Sequence, residues 1–216
     1  MLVSTPRGDA KVAVFQAKGK ARALLVLGHG AGGDVDAPDL TAVRDAAVVA
    51  GVTVVLITQP YRVAGRRAPA PAGQLDEAWL AVIGHLPGTL PAILAKRPAK
   101  KPPGQLLKVP MIVGGRSSGA RVACRTALAC GAAGVVNLAF PLHPPGKPER
   151  SRDEELRECG VPALVVNGDS DPFGVPEPGP GIDLVIIPGA RHDLRKDTTA
   201  VAEAVVGWLR DHGWAA

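Results

Sequence analysis

The chain has 216 residues, of which 46% are hydrophobic and only 3% aromatic, and its formal net charge is +5. The length suits one domain over residues 1–216, and an aliphatic composition is typical of buried parallel strands covered by helices on both faces. Because no apolar run is long enough to cross a bilayer and no signal peptide is recognisable, we expect a cytoplasmic protein with no membrane segment.

Short apolar runs alternate with longer amphipathic segments, a pattern that indicates strand–helix–strand units. The predicted strands are Val12–Gln16, Ala23–Gly28, Thr53–Ile57, Pro110–Gly114, Gly134–Ala139, Ala163–Asn167 and Asp183–Ile187. The predicted helices are Pro38–Ala50, Leu75–His85, Ser118–Cys130, Glu149–Cys159 and Asp197–His212. This order predicts an α/β fold with a doubly wound, mostly parallel sheet flanked by helices. The connections leave no room for a large insertion, so we expect an open site with a minimal lid or none.

Two features argue against other classes of protein. Three cysteines without a Cys-x-x-Cys pair indicate neither a disulfide framework nor a zinc ribbon. Basic residues cluster at positions 96–101, but no aromatic residue lies among them to stack on bases. We therefore interpret this cluster as a solvated loop and expect no nucleic-acid partner.

The strongest motif is Gly115-Arg116-Ser117-Ser118-Gly119, a Gly-x-Ser-x-Gly sequence between a predicted strand and a predicted helix. In that setting the serine occupies a strained turn, and the flanking glycines let strand and helix approach each other. The motif predicts Ser117 as a nucleophile and the backbone N–H of Ser118 as an oxyanion donor. The alternatives are a flexible turn with Ser118 as a helix cap, and a phosphate-binding loop, although the Gly-Lys-Ser/Thr ending of a P-loop is absent.

A serine at such an elbow needs an acid and a base, in the chain order Ser, Asp/Glu, His. His192 follows the last predicted strand and is the candidate base, whereas the other histidines lie in helices or follow other strands. The acid should follow the preceding strand. We favour Asp171 there, with Asp169 as the alternative.

A second oxyanion donor is expected from the loop after the second predicted strand. Residues 27–33 read Leu-Gly-His-Gly-Ala-Gly-Gly, a close variant of the His-Gly-Gly-Gly pattern that supplies such a donor. We expect the backbone N–H of Ala31 to be this donor, with Gly32 as the alternative. His29 is expected to brace the loop or to lie near the substrate, and not to act as the base.

Together these segments resemble the small α/β-hydrolases related to testis-expressed protein 30, a group that includes the hydrolase-like domain of a histone acetyltransferase complex subunit. The matching segments are 28–32, 60–62, 114–121, 141–147 and 168–174, of which Pro-Leu-His-Pro-Pro-Gly-Lys at 141–147 is the most specific. The resemblance implies an α/β-hydrolase fold with Ser117, Asp171 and His192 as the triad, and it implies no substrate. The chain is similar, more distantly, to dienelactone hydrolases, which use a cysteine at the position of Ser117.

These residues predict a serine hydrolase that acts on small-molecule carboxyl esters or related acyl substrates through an acyl-enzyme, with no metal or other cofactor. Five residues at or after strand ends are candidates for binding an anionic part of the substrate: Arg62, Arg66, Arg67, Arg116 and His143. The alternative for them is a solvated or structural role. The competing hypothesis for the whole chain is a non-catalytic protein-interaction module, and the oligomeric state stays open.

Overall fold

The computed structural model describes residues 1–94 and 109–216. Its strands are β1 (Leu2–Thr5), β2 (Gly8–Phe15), β3 (Ala23–Gly28), β4 (Val52–Thr58), β5 (Met111–Arg116), β6 (Gly134–Leu138), β7 (Ala163–Gly168) and β8 (Ile182–Ile187). Its helices are α1 (Pro38–Val49), α2 (Pro60–Val63), α3 (Ala72–Leu94), α4 (Ser118–Thr126), α5 (Asp153–Arg157) and α6 (Thr198–Asp211). A short 3-10 turn at Arg195–Asp197 precedes α6.

The described strands form one sheet in the order β1-β2-β4-β3-β5-β6-β7-β8. Strand β2 pairs antiparallel with both β1 and β4, and the other neighbouring pairs are parallel. Strands β3, β4, β6 and β7 are buried along their whole length, which explains their nearly continuous apolar sequences. The predicted mostly parallel sheet is thereby confirmed.

Two apolar layers cover the sheet, one on each face. On one face Leu40 of α1 and Val205 of α6 pack with the sheet. On the other face Trp79 of α3, Val122 of α4 and Leu156 of α5 do the same. Helices on both faces leave only the strand ends and their loops to reach the surface, so the chemistry of this fold belongs at a sheet edge.

The carboxyl ends of the central strands lie side by side and carry the residues singled out in the sequence. Gly28 at the end of β3 pairs with Gly115 near the end of β5. Gly168 at the end of β7 pairs with Ile187 at the end of β8. The loops that follow β3, β5, β7 and β8 are therefore neighbours at one edge of the sheet.

The structure differs from several predicted elements: β2 begins at Gly8 and not at Val12, α4 ends at Thr126 and not at Cys130, and four larger differences follow. Strand β1 was missed; it is a short edge strand that depends on pairing with β2. The one-turn helix α2 was also missed. Helix α3 extends beyond the predicted Leu75–His85 at both ends. The predicted helix Glu149–Cys159 contracts to the five residues of α5, because turns occupy the segment before it.

The connection between β6 and β7 contains α5 and short turns, with no inserted domain among its described residues. The basic cluster at 96–101, predicted to be a solvated loop, lies outside the described residues. Across residues 1–94 and 109–216, no helix combines the length and the apolar character that a membrane crossing requires.

Candidate active site

Ser117 occupies a strained turn between β5 and α4. Its backbone has φ 53° and ψ −111°, a region that residues with a side chain seldom adopt and that costs about 1–3 kcal/mol. The flanking glycines are required by crowding. A methyl group on Gly115 would lie 2.5 Å from the carbonyl oxygen of Gly28, and one on Gly119 would lie 2.6 Å from the same atom. The predicted elbow geometry is thus present, with β3 pressed against its turn.

His192 links Ser117 to Asp171. The distance from Ser117 Oγ to His192 Nε2 is 2.8 Å, and the distance from His192 Nδ1 to Asp171 Oδ2 is also 2.8 Å. The Asp171 side chain is fully buried, and its Oδ1 accepts a hydrogen bond from the backbone N–H of Phe173. Because an ionised carboxylate can only accept, the proton belongs on Nδ1, which leaves Nε2 to accept from the Ser117 hydroxyl.

The loops that carry Asp171 and His192 are joined to each other. A methyl group on Gly168 would clash with the backbone of Ala190, and the N–H of Ser170 donates to the Ala190 carbonyl at 3.1 Å. Asp169, the alternative acid, accepts from the backbone N–H of Gly189 at 2.7 Å, and this hydrogen bond lowers its pKa. Asp169 therefore fastens the two loops together, whereas Asp171 contacts the histidine.

The ring of Phe173 stacks on the ring of His192, with centroids 4.0 Å apart and planes 27° from parallel. Together with Asp171, this contact restricts how the imidazole can turn. Phe173 lies within the segment 168–174 that carries the family resemblance, but no role is predicted for it from the sequence. An aromatic residue two positions after an acid carries no signal of a contact with a histidine 19 positions further on.

The loop after β3 lies beside the serine. A methyl group on Gly30 would lie 3.4 Å from Ser117 Cβ. In the described part of the chain, no protein acceptor takes up the backbone N–H of Ser118 or that of Ala31. Burial raises the pKa of Tyr61, and a hydrogen bond from the backbone of Gly32 partly offsets that rise. Ala31 as the second oxyanion donor, with Gly32 as the alternative, stays a prediction.

His29 is buried and both of its ring nitrogens are engaged. Its Nε2 accepts from the backbone N–H of Gln59 at 3.0 Å, and its Nδ1 donates to the carbonyl of Gly30 at 2.9 Å. Burial lowers the pKa of His29, in agreement with a neutral ring. The structure places His29 as a brace between the loops after β3 and β4 and leaves no ring nitrogen for a substrate.

Arg116, considered for substrate binding, is engaged inside the protein. Its Nε lies 3.0 Å from Oδ2 of Asp39, and its Nη2 donates to the carbonyl oxygen of His192 at 2.9 Å. These two contacts use two of the three guanidinium nitrogens, so the geometry does not support the expected contact with a substrate.

Arg62 and His143 differ in what they leave unused. Nη1 of Arg62 donates to the carbonyl of Arg66, whereas its buried Nε has no hydrogen-bond partner among the described residues. His143 donates from Nδ1 to the Pro144 carbonyl and packs closely on Gly174. Arg62 therefore keeps one unpaired donor beside the loop after β3. The contacts of His143 favour a role in packing the loops over a role in substrate binding.

Two sizeable grooves along the described residues lie away from Ser117. One, of about 590 Å³, lies between α3 and the start of β5, and the other, of about 530 Å³, lies between α1 and α6. Neither is lined by Ser117, Asp171 or His192. The candidate site is therefore identified by its chemistry and not by its concavity.

The family follows from the sequence as a whole. A family model described as "Alpha/beta hydrolase domain" matches residues 21–203, and the chain belongs to this family. A search of curated protein sequences finds no significant match.

Solved structures agree on the fold. An α/β serine hydrolase without a lid from Xanthomonas campestris superposes with a TM-score of 0.75 at 18% identity, covering 98% of this chain and 93% of its own. A dienelactone hydrolase from Anabaena variabilis gives 0.69 at 19% identity, with 98% and 95% covered. An esterase from the archaeon Pyrobaculum calidifontis gives 0.65 at 17% identity, with 100% and 85% covered.

At these identities the likeness establishes the fold. The predicted α/β-hydrolase fold is confirmed, and the more distant resemblance to dienelactone hydrolases holds at the level of architecture. The narrower relationship to the group of testis-expressed protein 30 stays a prediction.

Proposed function

We propose that the protein is a serine hydrolase that cleaves small-molecule carboxyl esters or related acyl compounds through an acyl-enzyme intermediate. The observation that carries this proposal is the continuous pair of 2.8 Å contacts from Ser117 Oγ through the His192 ring to Asp171. A nucleophile, a base and an orienting acid in this arrangement are what acyl transfer at neutral pH requires.

In the first half of the reaction, the Ser117 oxygen attacks the ester carbonyl carbon while its proton moves to Nε2 of His192. The carbonyl oxygen becomes an oxyanion, to which the backbone N–H groups of Ser118 and Ala31 donate. His192 then returns the proton to the leaving alcohol as the carbon–oxygen bond breaks. In the second half, water repeats these steps on the acyl-enzyme and releases the acid.

Asp171 contributes by holding the proton on Nδ1 and by stabilising the imidazolium that forms at each proton transfer. Its complete burial strengthens this interaction, because a charge pair is screened less away from water. The N-terminus of α4 adds a positive backbone field where negative charge develops on the substrate. No step in this scheme calls on a metal or an organic cofactor.

Labelling with a fluorophosphonate probe tests the proposal directly, because such probes react with activated serines. We expect wild-type protein to be labelled, Ser117→Ala not to be labelled, and His192→Ala to be labelled at least about 100-fold more slowly. Ser118→Ala is the matched control, since it removes the neighbouring hydroxyl and keeps the backbone N–H. Folded wild-type protein that resists the probe would contradict the proposal and favour the interaction module.

We further propose that Arg62 contacts a negatively charged part of the substrate, since it follows the carboxyl end of β4, is only half-buried as a residue and has no hydrogen-bond partner for its Nε among the described residues. An arginine paired with a carboxylate gains a charge-assisted hydrogen bond. We expect Arg62→Gln to lower kcat/KM for carboxylate-bearing esters by about 10- to 150-fold, and to spare matched neutral esters, because such a bond contributes about 1.5–3 kcal/mol. Arg22→Gln, at the opposite edge of the sheet, is the control. Equal losses on both ester types would count against this role.

A further inference from the structure

Arg116 links the turn that carries Ser117 to helix α1. It is the last residue of β5 and directly precedes Ser117. Its guanidinium reaches Asp39, which stands in the first turn of α1 and whose side chain is completely buried. The Arg116 side chain is itself only 16% exposed. An ion pair so shielded from water is unlike the exposed pairs elsewhere on the surface of the chain.

The buried carboxylate needs its partner. Burial raises the pKa of Asp39, and the nearby charge of Arg116 offsets only part of that rise. One oxygen of Asp39 also accepts from the backbone N–H of Leu40 at 2.9 Å. Because removing one member of a buried pair leaves the other charge uncompensated, the pair behaves as a unit, and α1 fixes the position of the guanidinium.

The other end of that guanidinium holds the backbone of the proposed base. Nη2 of Arg116 donates to the carbonyl oxygen of His192 at 2.9 Å. His192 stands in a loop between β8 and the 3-10 turn, where no sheet pairing holds its peptide. The same guanidinium also packs against the loop after β3. A methyl group on Gly30 would lie only 2.9 Å from Nη1 of Arg116.

We propose that Arg116 and Asp39 form a positioning pair that sets the His192 ring at hydrogen-bonding distance from Ser117, an inference that rests on the proposed serine hydrolase function. The pair acts on proton transfer between Ser117 and His192, and not on the binding of a substrate. Asp39 is sealed from solvent, so any effect of Asp39 on catalysis passes through Arg116.

The test compares Arg116→Lys, Asp39→Asn and the double variant. Arg116→Lys keeps a positive charge beside Asp39 but loses the planar guanidinium, whose Nη2 also reaches His192. Asp39→Asn keeps the shape of the buried side chain and removes its charge. For each variant, the readouts are the rate of fluorophosphonate labelling, and kcat and KM on a neutral ester such as p-nitrophenyl acetate and on a matched carboxylate-bearing ester. The thermal midpoint shows that the protein is folded at the assay temperature.

We expect each single variant to lose about 10- to 100-fold in labelling rate and in kcat with KM within about twofold, because a displacement of about 1 Å can cost 100-fold. The double variant should be little worse than either single one, since the two residues act through one contact. Asp45→Asn is the matched control, because Asp45 pairs with Arg44 on the exposed side of α1 and should leave every readout unchanged.

The outcomes separate this inference from the function on which it rests. Wild-type protein that is not labelled removes both proposals. Wild type that is labelled, together with folded variants that are labelled just as fast, overturns the positioning pair alone. A loss confined to KM and to carboxylate-bearing esters would also overturn it, because that pattern marks Arg116 as a substrate ligand.

Discussion

His29 and His192 lie at the same edge of the sheet and use their ring nitrogens in the same way. Each donates from Nδ1 and accepts at Nε2. The partners differ. His29 donates to a backbone carbonyl and accepts from a backbone N–H, whereas His192 donates to a buried carboxylate and accepts from a hydroxyl. A histidine therefore becomes a base or a brace according to what its two nitrogens meet.

The two histidines differ in whether a neighbouring group can transfer a proton to the ring and whether a neighbouring group can stabilise a positive charge on it. The N–H of Gln59 cannot give up its proton, so Nε2 of His29 has no proton to receive from it. Among the described residues, no carboxylate forms a hydrogen bond or ion pair with the ring, and burial lowers the pKa of His29. Around His192, the Ser117 hydroxyl can release a proton and Asp171 can stabilise the resulting cation. The first environment fixes a loop, and the second supports proton transfer.

The largest expected effect comes from making the carboxylate partner of His192 neutral. Asp171→Asn should lower kcat on a neutral ester by about 10⁴-fold, because an amide N–H facing Nδ1 forces the proton onto Nε2 and blocks its role as acceptor. Steady-state kinetics and the rate of fluorophosphonate labelling measure this loss.

Asp169→Asn is the matched control for that substitution. Asp169 lies two positions away and accepts from Gly189 and Ser170 but does not contact His192. We expect its activity to stay within about 10-fold of wild type, in line with the cost of a lost exposed hydrogen bond. If Asp169→Asn lost as much activity as Asp171→Asn, the assignment of the acid would be wrong.

A smaller effect is expected from changing the brace. His29→Leu should lower the free energy of unfolding by about 1–3 kcal/mol, because the buried N–H of Gln59 loses its acceptor. The loss should depend on pH. The folded protein disfavours protonated His29 and the unfolded chain does not, so the contribution of neutral His29 is present above pH 6.5 and is lost as pH falls below it.

Urea unfolding of wild type and His29→Leu from pH 8 to pH 5 measures this dependence. The difference between the two proteins should be largest at pH 8 and should shrink as the solution becomes acidic. A difference that grows toward pH 5 would mean that His29 is protonated in the folded state, and the contrast with His192 would fail.

Much of the site could be predicted because its signals are local. The Gly-x-Ser-x-Gly turn identifies Ser117 within five residues, and the chain order of such triads then points to the loops that hold Asp171 and His192. The apolar runs of β3 to β7 indicate the parallel sheet, since strands buried on both faces have nearly continuous apolar sequences between turn residues. The edge strand β1 and the single turn of α2 are too short to leave a recognisable pattern.

The supporting residues could not be predicted, because their roles depend on contacts between distant parts of the chain. Arg116 meets a carbonyl 76 positions away, and Asp39 reads simply as an acid in the first turn of a helix, where such residues are common. Arg116 was predicted to bind substrate for the same reason. The sequence shows an arginine at the end of a strand, but it does not show the protein groups that its guanidinium contacts. Phe173 and Gln59 are similar cases.

Gly168 and Ala190 pack so closely that the acid loop and the histidine loop form one block. Insertions into either loop would separate Asp171 from His192, so these loops have little freedom to diversify during evolution. The loops after β3 and β4 are braced near their starts by His29, but beyond that brace they carry exposed residues at 31–32 and 64–69. New substrate preferences in this lineage should therefore arise on the β3 and β4 side, while the acid–base half of the site is inherited unchanged.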